Sequence, residues 1–95
     1  MKLKITRSFS IKLDEQVKYI AEDKPQAARA FKSKLINEVK AIPQMPFKNR
    51  KSIFFDRDDI RDLIIQGYVV VYKVNKPEDS IEVFGFAKWE NNPFK

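Results

Sequence analysis

Cysteine and histidine are both absent from this 95-residue sequence. The first absence excludes disulfides and thiolate chemistry. The second removes the usual general base and the commonest metal ligand, so any acid–base chemistry falls to Lys, Arg, Tyr, Asp or Glu. Asp56, Asp58 and Asp59 lack the glycine and the ligand spacing of a calcium loop, and we interpret them as turn residues. We therefore expect neither a metal site nor a cofactor.

Long apolar runs are also missing. No run approaches the roughly 18 residues that a membrane helix needs, and the first residues lack the apolar segment of a signal peptide. We therefore expect a cytoplasmic protein that does not bind membranes. Apolar residues make up 43% of the chain and charged residues 34%. This balance argues against disorder and predicts a single domain, residues 1–95, with one modest core.

The charge is positive and unevenly distributed. The net charge is +6. Residues 1–50 hold 12 Lys and Arg against 5 Asp and Glu, whereas residues 51–95 hold 7 against 8. This division favours an anionic partner, either nucleic acid or an acidic protein segment, although solubility alone would also explain it.

Two helices are predicted in the first half, after a short strand at residues 3–7. Ser8 and Ser10 offer oxygens that can cap the first helix, whose apolar face follows at helical spacing and ends near Glu22. Asp23 and Gln26 have the spacing of a capping box for the second helix. Pro43 and Pro46 end that helix, and residues 43–52 are interpreted as a loop with a basic end.

Three strands are predicted in the second half, near residues 60–66, 68–74 and 81–88. Gln66 and Gly67 form a hairpin turn, and the apolar character of both faces makes the strand at 68–74 central. Gly85 indicates a bulge or a close backbone approach in the last strand. The order β-α-α-β-β-β predicts an α+β fold, with a helical hairpin on one face of a small, largely antiparallel sheet and a partly open groove on the other.

Several short motifs occur in this order along the whole chain. They are Tyr19-Ile20-Ala21-Glu22-Asp23 with Pro25 and Ala27-Ala28, then Phe31, Leu35, Ile42-Pro43 and Pro46, then Arg50-Lys51-Ser52, Ile60-Arg61-Asp62-Leu63, Gly67-Tyr68 and Val71-Tyr72. Together they resemble the RelE/ParE superfamily of toxins from bacterial type II toxin–antitoxin systems, of the ParE-like, plasmid stabilisation type. The resemblance implies a growth-inhibiting toxin and a cognate antitoxin whose C-terminal segment is acidic or amphipathic.

The resemblance leaves two activities open. ParE-like members bind and inhibit DNA gyrase without nuclease chemistry, whereas RelE-like members cut mRNA in the ribosomal A site. RelE-like enzymes have a tyrosine or histidine close to the C-terminus, but residues 88–95 here contain neither. We therefore favour the ParE-like reading and no enzymatic activity, with a ribosome-dependent endoribonuclease as the alternative. A basic binding module without toxicity is a third hypothesis.

The candidate site residues are basic or aromatic. Contacts to a partner or target are assigned to Arg50, Lys51, Arg57, Arg61, Lys88 and Trp89. If the protein is a nuclease, the candidate catalytic residues are Arg61, Lys88 and Glu90. Structural roles compete with each assignment. Arg61 can pair with Asp59, Asp62 or Glu82, and Trp89 can seal the edge of the core instead of stacking on a partner.

Overall fold

Two helices cover one face of a five-stranded mixed sheet. The structure is a computed structural model that describes residues 1–89. Its elements are β1 (Lys2–Ile5), α1 (Arg7–Asp23), α2 (Pro25–Ala41), a short 3₁₀ helix (Ile42–Gln44), β2 (Arg50–Lys51), β3 (Ile60–Ile65), β4 (Tyr68–Asn75) and β5 (Ser80–Lys88). The predicted α+β fold is confirmed, with β2 as an additional short strand.

The strand order in the sheet is β1-β5-β4-β3-β2. β1 pairs with β5 in parallel, and every other pair is antiparallel. β4 therefore lies in the middle of the sheet, as its two apolar faces predicted. In the described chain, no helix is long and apolar enough to cross a membrane.

The helix starts differ from the sequence prediction. Thr6, and not Ser8 or Ser10, caps α1, because its Oγ1 accepts a hydrogen bond of 3.2 Å from the backbone N–H of Phe9. The proposed capping box of Asp23 and Gln26 is also wrong. Asp23 still belongs to α1, so Lys24 is the only linking residue and caps α2 without a side-chain hydrogen bond. Pro25 occupies the first turn of α2, as expected.

The main core lies between the helices and the sheet. The helices contribute Phe9, Leu13, Phe31, Leu35 and Val39, which pack against alternate residues of the strands. In β4 these are Val70, Tyr72 and Val74, with Tyr68 partly buried beside them. Val69 and Val71 point to the opposite face and belong to a second, smaller apolar cluster. The predicted division of β4 between two faces is therefore confirmed.

Both glycines have the roles that the sequence indicated. Gln66 and Gly67 both have positive φ, 49° and 83°, in the turn between β3 and β4. At Gly85 a bulge shifts the register, since Val71 pairs with Gly85 whereas Tyr72 pairs with Val83. The bulge changes the alternation of β5, and so Val83 and Phe86 both reach the main core although they are three residues apart.

Candidate partner-binding site

The sheet face opposite the helices is only partly covered. We call it the open face. Ile60, Val69 and Val71 form its buried floor, and Phe54, Phe84 and Trp89 pack against them. Phe54 reaches this floor from the turn that follows β2.

Large apolar side chains remain exposed around this floor. Ile64 follows the alternation of β3 onto the open face, pairs with Val69 of β4, and is 45% exposed. Ile53 and Phe55 are 38% and 40% exposed, and the Phe55 ring meets Phe84 edge-on with centroids 5.8 Å apart. An uncovered apolar patch on a sheet is typical of a protein-binding surface.

Arg50 stands on this face beside a buried carboxylate. It lies in β2 and not in a loop, since its Cα is paired with that of Asp62. Its Nη2 is 3.3 Å from Oδ2 of Asp62, whose side chain is fully buried, and its guanidinium lies 4.6 Å from the centroid of the Trp89 ring. The backbone N–H of Ile53 donates a second hydrogen bond to the same carboxylate oxygen, at 3.1 Å. Arg50 and Trp89 are thus brought together, with Asp62 beneath them.

Arg61 has different partners from those predicted. No ion pair joins it to Asp59, Asp62 or Glu82 within residues 1–89. Its Nε donates to the backbone carbonyl of Asp58 at 2.9 Å and its Nη1 to that of Asn49 at 3.2 Å. Its guanidinium also lies 4.8 Å from the centroid of the Phe47 ring. Asp62, the next residue in the sequence, cannot pair with Arg61 because it faces the other side of β3, where Arg50 binds it.

Arg57 and Lys51 both contact the aspartates of the turn that precedes β3. Arg57 binds Asp59 through two hydrogen bonds of 2.6 and 2.9 Å, and this interaction lowers the pKa of the Asp59 carboxyl. Lys51, the second residue of β2, has its Nζ 3.1 Å from Asp56 and 3.9 Å from Asp58. Each of the three aspartates of this turn therefore has a neighbouring cation.

Lys88 lies away from the other cations. Its Nζ is 5.5 Å from the centroid of the Tyr19 ring on α1. Lys88 pairs with Tyr68, and Tyr68 pairs with Ile65, which lies four residues along β3 from Arg61. Two strand spacings across the sheet and four residues along it place the Cα atoms of Lys88 and Arg61 roughly 16 Å apart. Glu90, the third candidate for catalysis, lies outside the described residues. The two candidate cations therefore do not meet at one phosphate.

Tyr72 is unavailable for proton transfer at the surface. Its side chain is buried, and its hydroxyl donates a 2.6 Å hydrogen bond to the carbonyl of Pro46 and accepts one of 3.1 Å from Asn49 Nδ2. Burial raises the pKa of this hydroxyl, an effect that the Asn49 hydrogen bond partly opposes. Tyr72 therefore fixes the loop before β2 to the sheet.

Sequence reasoning missed three contributors to this surface. Asp62 was considered only as a partner for Arg61, although its place between the apolar residues of β3 signals a buried carboxylate that needs a cation. Ile64 and Phe55 were not assigned to the site. The alternation of β3 would have placed Ile64 beside Ile60 on the open face, whereas no periodicity places Phe55.

The fold and this surface define a small basic α+β domain with a partly exposed apolar sheet face. The family model described as ParE toxin of type II toxin-antitoxin system, parDE, matches residues 3–91. The chain therefore belongs to this family of toxins, and the predicted family is confirmed. No curated protein sequence matches the chain.

A solved structure supports the same fold. A chain of the chromosomal ParDE TA system from P. aeruginosa superposes with a TM-score of 0.76 at 18% sequence identity. The match covers 93% of this chain and 95% of that one. At this identity the similarity concerns the fold, including the helical hairpin and the mixed sheet.

Proposed function

We propose that this toxin acts by binding and inhibiting DNA gyrase, without catalysing a reaction, and that a cognate antitoxin neutralises it by covering the same surface. The family supplies the toxin class. The choice of target within that class rests on the composition of the open face and on the placement of the basic side chains.

One observation carries the proposal. The apolar residues that remain exposed on the open face, Ile53, Phe55 and Ile64, surround a half-exposed arginine that is already neutralised by buried Asp62. Such a surface gains free energy by removing apolar area from water, which a folded protein partner provides. An RNA backbone would instead require several uncompensated cations.

The nuclease alternative needs groups that the described residues do not bring together. Cleavage at a 2′-hydroxyl requires a base, an acid and a cation at one phosphate. Arg61 and Lys88 lie two strands and four residues apart in the sheet, and the Tyr72 hydroxyl is buried in a hydrogen-bonded site. Gyrase inhibition requires none of these groups.

The antitoxin follows from the same surface. A segment that is acidic on one side and apolar on the other would place its apolar side chains on Ile64 and Phe55. The overall charge of +6 would attract such a segment. Its binding would exclude the target by occupying the same apolar patch.

Parallel assays test the proposal. Purified protein is added to DNA gyrase with relaxed plasmid, and separately to translating ribosomes with mRNA. We expect loss of supercoiling, intact mRNA, and restoration of supercoiling when the antitoxin encoded beside the toxin is added. Normal supercoiling together with mRNA cuts at the A site would establish the ribonuclease instead. Harmless expression without the antitoxin would favour a non-toxic binding module.

A further inference from the structure

A cleft distinct from the open face lies at the end of the sheet, where the loop before β2, the turn before β3 and the turn after β4 meet. We call it the Phe47 cleft. It is an open depression of about 800 Å³. Its lining includes Phe47, Asp58, Asp59, Arg61, Lys73 and Lys76. Of these, only Arg61 belongs to the candidate site residues of the sequence.

Two cations are held against one exposed aromatic ring in this cleft. The Phe47 ring, 39% exposed as a residue, has the Arg61 guanidinium at 4.8 Å from its centroid and the Lys76 ammonium at 5.0 Å. Arg61 is further fixed by the carbonyls of Asn49 and Asp58. Neutral acceptors and an aromatic face orient a cation but leave its charge in place, so both cations can still bind an anion.

The carboxylates of the cleft are already occupied by other cations. Asp59 binds Arg57 at 2.6 Å, and Lys73 adds a weaker attraction that helps to lower its pKa. Asp58 lies 3.9 Å from Lys51. Within residues 1–89 no carboxylate forms an ion pair with Arg61 or Lys76. The cleft therefore holds two cations whose charges are not paired with a carboxylate of the described residues.

We propose that the Phe47 cleft binds an acidic segment of a partner protein, with a carboxylate between Arg61 and Lys76 and an apolar side chain against Phe47. The exposed ring offers the apolar contact next to the two cations, which matches a segment in which acidic and apolar residues adjoin. This inference does not depend on gyrase being the target, because it concerns a different surface from the open face.

A nucleic acid fits the cleft less well. A duplex strand carries a phosphate about every 3.4 Å along its axis, whereas Arg61 and Lys76 are the two cations held against Phe47. A single carboxylate needs no further cation, and an apolar neighbour can use the Phe47 ring. The pairing of two cations with one exposed aromatic ring therefore favours an acidic and apolar peptide over a phosphate backbone.

The test uses nuclear magnetic resonance with isotope-labelled full-length protein and a peptide that alternates glutamate and leucine. We expect amide shifts at Phe47 and at residues 73–77, besides those that binding to the open face would cause at Ile64 and Trp89, and weaker binding to the cleft as salt is added. The same peptide with glutamine in place of glutamate should bind roughly tenfold more weakly. A single-stranded oligonucleotide of equal charge serves as the second ligand and should bind more weakly than the acidic peptide.

Matched charge reversals connect the binding to this cleft. Lys76→Glu should raise the dissociation constant of the acidic peptide roughly tenfold. Lys34→Glu, on the exposed side of α2, makes the same change in net charge and should leave that constant unchanged. Both positions are exposed, and equal melting temperatures would show that both variants fold.

Several results would overturn the proposal. Absence of peptide-induced shifts at Phe47 and at residues 73–77 would remove the cleft as a binding site, whether or not Ile64 and Trp89 also shift. Equal weakening by Lys76→Glu and Lys34→Glu would reduce the effect to overall charge. Tighter binding of the oligonucleotide would assign the cleft to nucleic acid. Growth arrest and gyrase assays are not used here, so failure of this proposal leaves the proposed function unaffected.

Discussion

Arg50 is the cation that compensates Asp62, across the β2–β3 pair. The Asp62 side chain is fully buried, and its Oδ2 lies 3.3 Å from Nη2 of Arg50, whose own side chain is 38% exposed. A carboxylate removed from water is costly unless it is paired and hydrogen-bonded. A residue on the candidate binding surface is therefore also needed to hold the short strand β2 to the sheet.

Arg50→Ala is expected to lower the free energy of unfolding by about 2 kcal/mol, because it leaves the Asp62 carboxylate buried without its cation. Urea denaturation measures this change. Combining Arg50→Ala with Asp62→Asn removes the unpaired charge and should recover part of the loss. Lys51→Ala, which removes only exposed ion pairs from the same strand, should cost less than about 0.5 kcal/mol. Equal stability of the single and double Arg50 variants would contradict this account.

Tyr72→Phe is expected to cost about 1–2 kcal/mol at neutral pH, because the carbonyl of Pro46 loses its donor. It should also change the alkaline limb of the stability profile. Burial raises the pKa of Tyr72 above its usual 10.0, so the folded state retains the proton more strongly than the unfolded state. The resulting stabilisation is fully present below about pH 10 and is lost as the pH rises through the higher folded-state pKa.

Denaturation at a series of pH values measures this effect. The Tyr72→Phe protein should lose less stability between neutral and strongly alkaline pH than the parent. The parent protein, measured in parallel at each pH, provides the reference. A parent-like slope in Tyr72→Phe would show that this hydroxyl does not titrate differently on folding.

Gly85→Ala should destabilise the fold by about 1–3 kcal/mol, because a Cβ at this position would lie only 2.9 Å from Cβ of Val71. This clash can be relieved only if β4 moves, because Cβ of Val71 is attached directly to the backbone. Gly67→Asn is the matched glycine control. Its new Cβ meets no atom within 4 Å, and asparagine tolerates the positive φ, so the change should stay within about 0.5 kcal/mol. Thermal unfolding of both variants distinguishes close approach from loss of glycine as such.

Ile64→Lys should weaken gyrase inhibition and antitoxin binding roughly tenfold or more, because it places a charge in the centre of the apolar patch. Ile11→Lys is a closely matched control. Ile11 is 47% exposed on α1, compared with 45% for Ile64, and both substitutions add the same charge. Inhibition constants for supercoiling and dissociation constants for the antitoxin provide the measurements. Equal effects of the two substitutions would exclude the open face as the binding surface.

Periodicity predicted most of the fold. The 3.6-residue spacing in the first half placed α1 and α2, and the alternation in β4 correctly divided its side chains between two faces. Periodicity did not predict the one-residue link at Lys24, because Asp23 has the spacing of a cap for α2 but still belongs to α1. Strand β2 was missed because two residues are too few to show any period.

The site was less accessible from sequence than the fold. Arg50, Lys51, Arg57 and Arg61 were recognised as basic, but their partners depend on register. Arg61 has three carboxylates close to it in sequence or across the sheet, yet it binds two carbonyls, because β3 directs Asp62 to the opposite face. The Phe47 cleft joins three loops that no spacing rule relates, and only the folded chain brings Lys76 to Phe47.

The parallel pairing of β1 with β5 has a consequence for biosynthesis. Lys2 is paired with Ser80 and Ile5 with Val83, so β1, which is synthesised before the other described strands, has no place in the sheet until β5 has followed it. Ile81, Val83 and Phe86 of that last strand also complete the main core. A nascent chain that stalls before β5 therefore lacks the strand that joins β1 to the rest of the sheet. Complete folding is consequently a late event in synthesis of the chain, and it depends on contacts between residues that are distant in sequence.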